Sequence, residues 1–312
     1  MTTRLALIAT LLLLAACVST PDRRPRDLIE AEQQLGQGTR AFRNDDYRSA
    51  AALFRRALDY YRSVDDAEGQ ARALINLAET ALAVDDRHAA HQHLAALTRL
   101  SPRLPQTGLA PRIGLLEARL ALREGRADEA ARLLDGLLAR LPEDRRRPED
   151  PLYQALLLRR AEAALAGPTP ADAEPRLQPL LPLADRGRLA PEMQARLLRL
   201  QAELLLLEDQ PDAARARLEQ ALAVARQSRR RPAIAAALEA LAAQSRHQGR
   251  LREAAELLER ALPVRSRLLD QAALRRDLES LLALYRELGD GEAERRIQAT
   301  LARLPAQGPA RP

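Results

Sequence analysis

The sequence predicts an all-α solenoid of about seven helical hairpins with a period of about 40 residues. Three observations predict it. First, an alanine returns in one local context at Ala50, Ala90, Ala130, Ala173, Ala214, Ala254 and Ala293, in steps of 40, 40, 43, 41, 40 and 39. Second, three companion positions travel with it: a small or apolar residue twelve before, a large apolar residue four after, and a third position seven after. The alanine and the last two lie at i, i+4, i+7 and share one helix face. Third, the composition is that of helices. Aromatics make up 2% of 312 residues, Trp is absent, and Ala, Leu, Arg and Glu dominate, all good helix formers. No alternating β-branched run announces a sheet. A period of this length means stacked units, each burying its apolar face only against its neighbours.

The hairpins follow in order, each with a first helix (A), a turn and a second helix (B). Hairpin one has Gly38 in A, the turn Asn44-Asp45-Asp46, and Ala50, Phe54 and Ala57 in B. Hairpin two has Ala78, Asp85-Asp86, then Ala90, Leu94 and Leu97; hairpin three has Ala118, Glu124-Gly125, then Ala130, Leu134 and Leu137. In hairpin four, Ala161 precedes Gly167-Pro168-Thr169-Pro170, and B carries Ala173, Leu177 and Leu180 beside Pro175, Pro179 and Pro182. Proline removes a helix hydrogen bond and clashes with the preceding turn, so this B helix is expected to kink or break. Hairpin five has Ala202, Glu208-Asp209-Gln210-Pro211, then Ala214, Leu218 and Ala221; hairpin six has Ala242, Gln248-Gly249, then Ala254, Leu258 and Ala261. Hairpin seven has Leu281, Leu288-Gly289-Asp290-Gly291, then Ala293, Ile297 and Thr300, and its polar last helix can cap the stack.

These positions resemble the tetratricopeptide repeat (TPR) family. In hairpin one Gly38, Ala41-Phe42, Tyr47, Ala50, Phe54 and Ala57 fall at the family's spacing, and Pro102 and Pro142 stand at its closing proline. The resemblance covers roughly residues 30 to 304. It departs from the family where later glycines become alanine, where no tryptophan occurs, and in a step longer than the usual 34. It implies a right-handed superhelix whose A helices line a concave groove. Carried over position by position, that groove takes Leu35, Thr39, Phe42 and Arg43; then Arg72, Glu79 and Leu82; then Arg112, Leu115, Arg119, Leu122 and Arg123. From hairpins five and seven it takes Arg196, Arg199, Glu203, Arg275, Tyr285 and Arg286. Leucine alternating with arginine suits an amphipathic or acidic peptide. The same positions also read as a merely solvated inner wall.

The N-terminus carries a second resemblance. Arg4, an apolar run from Leu5 to Ala16, and then the chain's one cysteine form a positive n-region, a short h-region and small residues before a cut. Leu14-Ala15-Ala16-Cys17 is similar to the bacterial lipobox. That resemblance implies cleavage before Cys17, lipidation (palmitate among the acyl chains) at that residue, and anchoring by several chains. Val18, where an aspartate would retain the protein on the inner membrane, points to the outer membrane, facing the periplasm. The expected layout is a signal peptide at 1–16, lipidated Cys17 and tether at 17–27, TPR-like repeats one to three at 28–150, an irregular Pro-rich repeat four at 151–185, repeats five to seven at 186–304, and a disordered tail at 305–312.

Chemistry is sought and not found. His88, His91 and His93 cluster at the start of one helix, but only the first two share a face, and no Cys or carboxylate completes a metal set at ligand spacing. Gly36-x-Gly38 lacks the third glycine and the strand of a nucleotide fingerprint. There is no G-x-S-x-G. The 49 basic residues among Lys and Arg are all Arg, but they are spread among 43 acids, without the stripe and stacking aromatics of a nucleic-acid binder. Arg145-Arg146-Arg147 and Arg229-Arg230-Arg231 fall between hairpins, where exposed charge is the default. The sequence therefore leads to a non-enzymatic protein-binding scaffold of the cell envelope, with no cofactor, no nucleic acid and no small-molecule substrate. Its partners are other envelope proteins or peptides and, through Cys17, the membrane. The rival readings are a structural spacer without a groove ligand and a metal-binding or enzymatic protein built on the three histidines.

Overall fold

A computed structural model of the chain describes residues 25–104 and 108–304. Cys17 with its leader, most of the tether and the segment 305–312 lie outside the described residues. The first hairpin is α1 (Arg26–Arg43) and α2 (Tyr47–Ser63), so helix begins inside the segment expected as tether. Then come α3 (Ala67–Ala83) with α4 (Arg87–Leu100), and α5 (Ala110–Arg123) with α6 (Ala127–Arg140). The fourth pairs α7 (Pro151–Ala166) with the short α8 (Ala173–Leu177) and α9 (Leu181–Asp185). The last three are α10 (Pro191–Leu207) with α11 (Pro211–Gln227), α12 (Arg231–His247) with α13 (Leu251–Leu268), and α14 (Gln271–Leu288) with α15 (Gly291–Arg303). The described residues form no strand. The architecture is an α-solenoid of seven hairpins.

Turn chemistry sets the helix lengths. Residues with positive φ stand at Asp45, Asp65, Asp85 and Gly125, and again at Asp209, Arg229, Gly249, Leu269 and Gly289, in steps of twenty within each run except the step from Asp85 to Gly125, which is forty; Gly187, after the broken helix of hairpin four, stands outside both runs. Turns within hairpins and between hairpins are thus the same device, and the 40-residue period is two near-equal halves. The left-handed conformation ends one helix, and the next residue often caps the following one. Asp46, Asp66, Asp86, Asp270 and Asp290 each accept from the backbone N–H three residues on, satisfying a donor that the first turn leaves free. Asp and Asn tolerate the left-handed region better than most residues, which suits Asp45, Asp65, Asp85 and Asp209.

Packing follows the periodic positions. Ala50, Ala90, Ala130, Ala173, Ala214 and Ala254 are fully buried and Ala293 nearly so, as are Ala78, Ala118, Ala161 and Ala202 in the A helices. Small residues at these crossings let backbones approach, and Phe54, Leu94, Leu134, Leu177, Leu218, Leu258 and Ile297 fill the space beside them. Two positions differ from the pattern: Leu137 is only half-buried, and Thr300, on the last described helix, is exposed.

In hairpin four the prolines break the second helix into pieces, with 3-10 segments at Pro170–Asp172 and Gln178–Leu180. Pro170, Pro179 and Pro182 each stand at the start of a piece, where the missing N–H has no helical partner to lose. Ala173, Leu177, Leu180 and Leu183 remain buried along the broken path. The apolar packing nevertheless continues across this hairpin. Leu138 and Tyr153 pack against both the apolar cluster before it and the one centred on it, and Leu197 and Leu200 of α10 join the latter.

The solenoid also winds back on itself. The turn of hairpin one meets the start of hairpin six: Arg231 donates its backbone N–H to Asp45 Oδ2 at 3.3 Å, and its guanidinium reaches Asn44 O at 3.4 Å. Arg230 donates to Arg43 O, lies 3.8 Å from Asp45 Oδ1 and pairs with Glu192. One hairpin along, Arg276 of α14 donates to Asp85 Oδ2 at 2.9 Å. Both aspartates have side chains only 2% exposed. This seam corrects the reading of Arg229-Arg230-Arg231 as idle solvated charge. The Arg145–Arg147 run is also engaged: Arg145 pairs with Asp150 at 2.9 Å, and Arg146 donates to Leu141 O and Ala139 O, both at 2.7 Å, closing the end of α6.

Candidate binding surface inside the superhelix

The A helices turn their polar stripe inward, and the seam encloses it. One cavity of about 860 Å³ is lined by Leu35, Thr39, Phe42 and Arg43 of α1, by Arg72, Asn76 and Glu79 of α3, and by Arg112 of α5. Its opposite wall is Pro191 and Glu192 at the start of α10, and Ser228 and Arg230 just before α12. These walls are distant in sequence and adjacent only because the superhelix closes. Phe42 is fixed edge-on against Tyr47, with centroids 5.3 Å apart.

Deeper along the inner wall lies a charged ladder. The residue after the small A-helix position is Glu79, Arg119, Glu162 and Glu203 in hairpins two to five. Six residues before the small position stand Arg72, Arg112, Ala155 and Arg196. Two rungs have the same construction: Arg112 Nη2 reaches Glu79 Oε1 at 3.5 Å, and Arg196 Nη1 reaches Glu162 Oε2 at 3.4 Å. In each, the arginine of one hairpin meets the glutamate of the hairpin before it. Glu162 also accepts from Arg159 at 2.8 Å. Burial opposes its ionisation, but Arg159, Arg196 and Arg199 outweigh that and hold its pKa at about 2. Arg196 is held well below its ordinary value by burial and by Arg159, although 29% of its side chain touches solvent. Glu203 has Ala236 in the place of an arginine, and burial raises its pKa against the pull of Arg199.

Hairpin three breaks the ladder. Arg119 occupies the glutamate position and Ala155 the arginine position of the next hairpin. Among the described residues Arg119 makes no hydrogen bond or ion pair. Desolvation, then the like charge of Arg159, bring its pKa down to about 10, so it remains charged at neutral pH.

The groove positions read from sequence fall into three sets. Leu35, Thr39, Phe42, Arg43, Arg72, Glu79 and Arg112 meet in the cavity. Arg119, Arg123, Arg196, Arg199 and Glu203 lie within electrostatic reach of the ladder. The rest belong elsewhere. Leu82 is 1% exposed, a core residue beyond any partner's reach. Tyr285 is buried, with its hydroxyl donating to Glu259 of α13 at 2.7 Å. Leu115 and Leu122 pack against the cluster beneath α5. Arg286 turns to Glu294 of α15 at 2.7 Å, and Arg275 is half-buried outside the cavity lining. Arg159 and Glu162 belong to the same inner wall although the sequence expectation does not include them. Counting from Ala161, as from the other small residues, finds them.

The three histidines do not converge. His91 pairs with Glu124 at 2.6 Å and His88 with Gln92 at 2.9 Å, while His93 is half-buried on another face with its pKa lowered by burial. Among the described residues no three His, Cys, Asp or Glu side chains are grouped to hold a metal ion, and no helix is long and apolar enough to cross a membrane.

No curated protein matches the chain in sequence. Among solved structures, a Rap protein complexed with competence and sporulation factor is similar at TM-score 0.64 and 14% identity, over 88% of this chain and 76% of that one. Aspartyl phosphate phosphatase F from Bacillus subtilis aligns at TM-score 0.49 and 13% identity, over 90% of this chain and 75% of that one. Nearly identical TPR-like repeats of a Podosopora anserina putative kinesin light chain align at TM-score 0.45 and 23% identity, over 64% of this chain and 100% of that one. Residues 193–267, in hairpins five and six, match the tetratricopeptide repeat family model, and the fold that carries them is a TPR-type solenoid.

Proposed function

We propose that this chain is a non-enzymatic, protein-binding scaffold lipoprotein of the bacterial cell envelope. Lipid at Cys17 anchors it to the periplasmic face of the outer membrane, and the inner wall of the superhelix receives a partner protein or peptide during assembly of an envelope machine. The observation that carries the binding role is the shared inner wall itself. Side chains of α1, α3 and α5 converge with the starts of α10 and α12 on one cavity. The similarity to a Rap protein solved with a factor bound supports the same use of the fold. Leu14-Ala15-Ala16-Cys17 supports the anchor.

Two measurements test the reading. A photo-crosslinking residue at Arg112, inside the cavity, is expected to trap a discrete envelope protein in cells, and one at Arg217, exposed on α11, is not; equal labelling from both positions refutes the groove. Labelling with radioactive palmitate is expected to be lost in Cys17→Ala. Retained label, or a protein that fractionates away from outer membranes before mutation, refutes the anchor.

A further inference from the structure

The second helices of the hairpins, which form the outside of the superhelix, do not share charge evenly. Together α2 and α4 carry six arginines (Arg48, Arg55, Arg56, Arg62, Arg87 and Arg99) and a single acid, Asp59. Their surplus of five compares with six for the whole chain. The corresponding helices α6, α11, α13 and α15 carry twelve arginines against ten acids. The surplus also forms one surface. Arg55 and Arg62, seven apart, share a face of α2. Burial and then Arg55 lower the pKa of His93 on α4, and Arg62 adds to them, so both arginines stand beside that helix. The acids at the rim are already matched: Asp59 lies 3.7 Å from Arg62, and Asp65 lies 2.8 Å from Arg103. Among the described residues Arg48, Arg55, Arg56 and Arg99 are exposed and make no hydrogen bond or ion pair. Val64, 51% exposed, stands two residues after Arg62. The face also adjoins the start of the chain's first helix. Arg26 and Glu30 line one cavity with Arg56, so the first turn of α1 lies against α2. Nine residues lead from Cys17 to Arg26, a reach of at most about 30 Å.

We infer that this outer face of α2 and α4 docks on an anionic phospholipid bilayer, the leaflet that holds Cys17. The inference rests on the lipid anchor proposed above and adds an orientation to it. A convex helix face offers a folded partner no cleft to grip. Lipid headgroups are many and mobile, and a phosphate can move to meet each guanidinium in the bidentate geometry that arginine favours. Each arginine near an anionic surface contributes about a fivefold factor. That attraction acts within a screening length of about 8 Å, and the short tether beside Arg56 keeps the leaflet close. Because α2 and α4 lie outside while α1 and α3 lie inside, docking turns the inner wall of the first two hairpins away from the bilayer.

The test uses the lipidated chain in vesicles of phosphatidylethanolamine and phosphatidylglycerol, with phosphatidylcholine vesicles as the neutral comparison. With Cys17 acylated, Ala52→Cys on the outer face of α2 supplies the one free thiol for a nitroxide, and Gln220→Cys on α11 supplies the control. An aqueous nickel chelate is expected to collide freely with the Gln220 label in both vesicles and with the Ala52 label in neutral vesicles only. In anionic vesicles the Ala52 label should be shielded, and salt at about 1 M, which cuts the screening length to about 3 Å, should release it. Arg55→Gln, Arg56→Gln and Arg99→Gln together should lower the docked-to-free ratio about a hundredfold and restore the collisions. The helical circular dichroism should match the wild type, because these side chains hold no partner. Equal exposure of the Ala52 label in both lipids overturns the inference. So do shielding that survives the triple substitution and shielding shared by Gln220, which marks adsorption without a preferred face. A chain that floats with both vesicles while Ala52 stays exposed loses the docking and keeps the anchor. A chain that floats with neither overturns the anchor, and the inference with it.

Discussion

Breaking the seam between Asp85 and Arg276 should cost different amounts from its two sides. The carboxylate is 2% exposed, whereas Arg276 is 50% exposed and Arg87, its other partner at 3.3 Å, is 43% exposed. Arg276→Ala leaves a buried carboxylate with one partner, and removing a charged hydrogen bond from a buried group costs roughly 1.5–3 kcal/mol. The half-exposed arginine reduces this, so a loss of about 2 kcal/mol is expected. Asp85→Asn leaves the arginine free to turn into water. Asparagine also tolerates the φ of +54° and still accepts a hydrogen bond, so about 1 kcal/mol is expected. Urea unfolding followed by circular dichroism measures both, and the double variant gives their coupling. Small-angle scattering should show an increased radius of gyration in either variant as the superhelix loosens. High salt, with a screening length of about 3 Å at 1 M, should loosen the wild type in the same direction. A larger cost for Asp85→Asn than for Arg276→Ala, or strict additivity with an unchanged radius, refutes the account of the seam.

Three further outcomes are expected. Glu162 has a lowered pKa of about 2, so its contribution is complete above its unfolded value near 4.5 and is lost as pH falls toward 2; allowing for the third of its side chain open to solvent, acid titration should remove about 1–2 kcal/mol that Glu162→Gln lacks. Asp277 behaves oppositely: burial, then Glu239, raise its pKa to about 7, so stability should fall as pH rises from about 4 toward 7, and Asp277→Asn should flatten that slope in melts across the range. Glycine substitutions should rank by the rigidity of what they meet. A Cβ at Gly69 runs into the Tyr61 ring and one at Gly38 comes within 2.5 Å of Phe54, whereas at Gly114 it meets the movable end of Leu137 at 2.9 Å; Gly69→Ala and Gly38→Ala should each cost about 1–3 kcal/mol net and Gly114→Ala close to nothing, and an inverted order in urea midpoints refutes the packing argument.

Local periodicity made most of the fold legible. The alanines at 50, 90, 130, 173, 214 and 254 are all fully buried, because a residue at a helix crossing must be small wherever the same crossing repeats. Leu82 and Tyr285 were misread for a related reason. They lie on the border between the inner stripe and the hairpin interior, and a rotation of a few tens of degrees about the helix axis decides between them. The ladder was half legible. Arg112, Arg119, Arg196 and Glu203 were placed on the inner wall, but that Arg112 meets Glu79 depends on how far each hairpin advances past the last. The seam was not legible at all. It joins residues 186 and 191 apart, and superhelical pitch accumulates from small rotations that no local pattern states. Only the buried, left-handed Asp45 and Asp85 hinted at it, and in sequence they look like their exposed equivalent Asp65.

That seam changes how the protein can vary. A solenoid whose hairpins touch only their neighbours can gain or lose a copy at little cost, since every interface is restored at the new junction. Here hairpin one is matched to hairpin six and hairpin two to hairpin seven. Excising one hairpin from between them would bring the wrong turn opposite Arg230 and leave Asp45 and Asp85 buried without their cations. Copy number is thereby counted by the chain itself. Lengthening leaves the seam intact only outside it; a hairpin added after the seventh would find Gly125 in the place of the aspartate, and so no latch to close on.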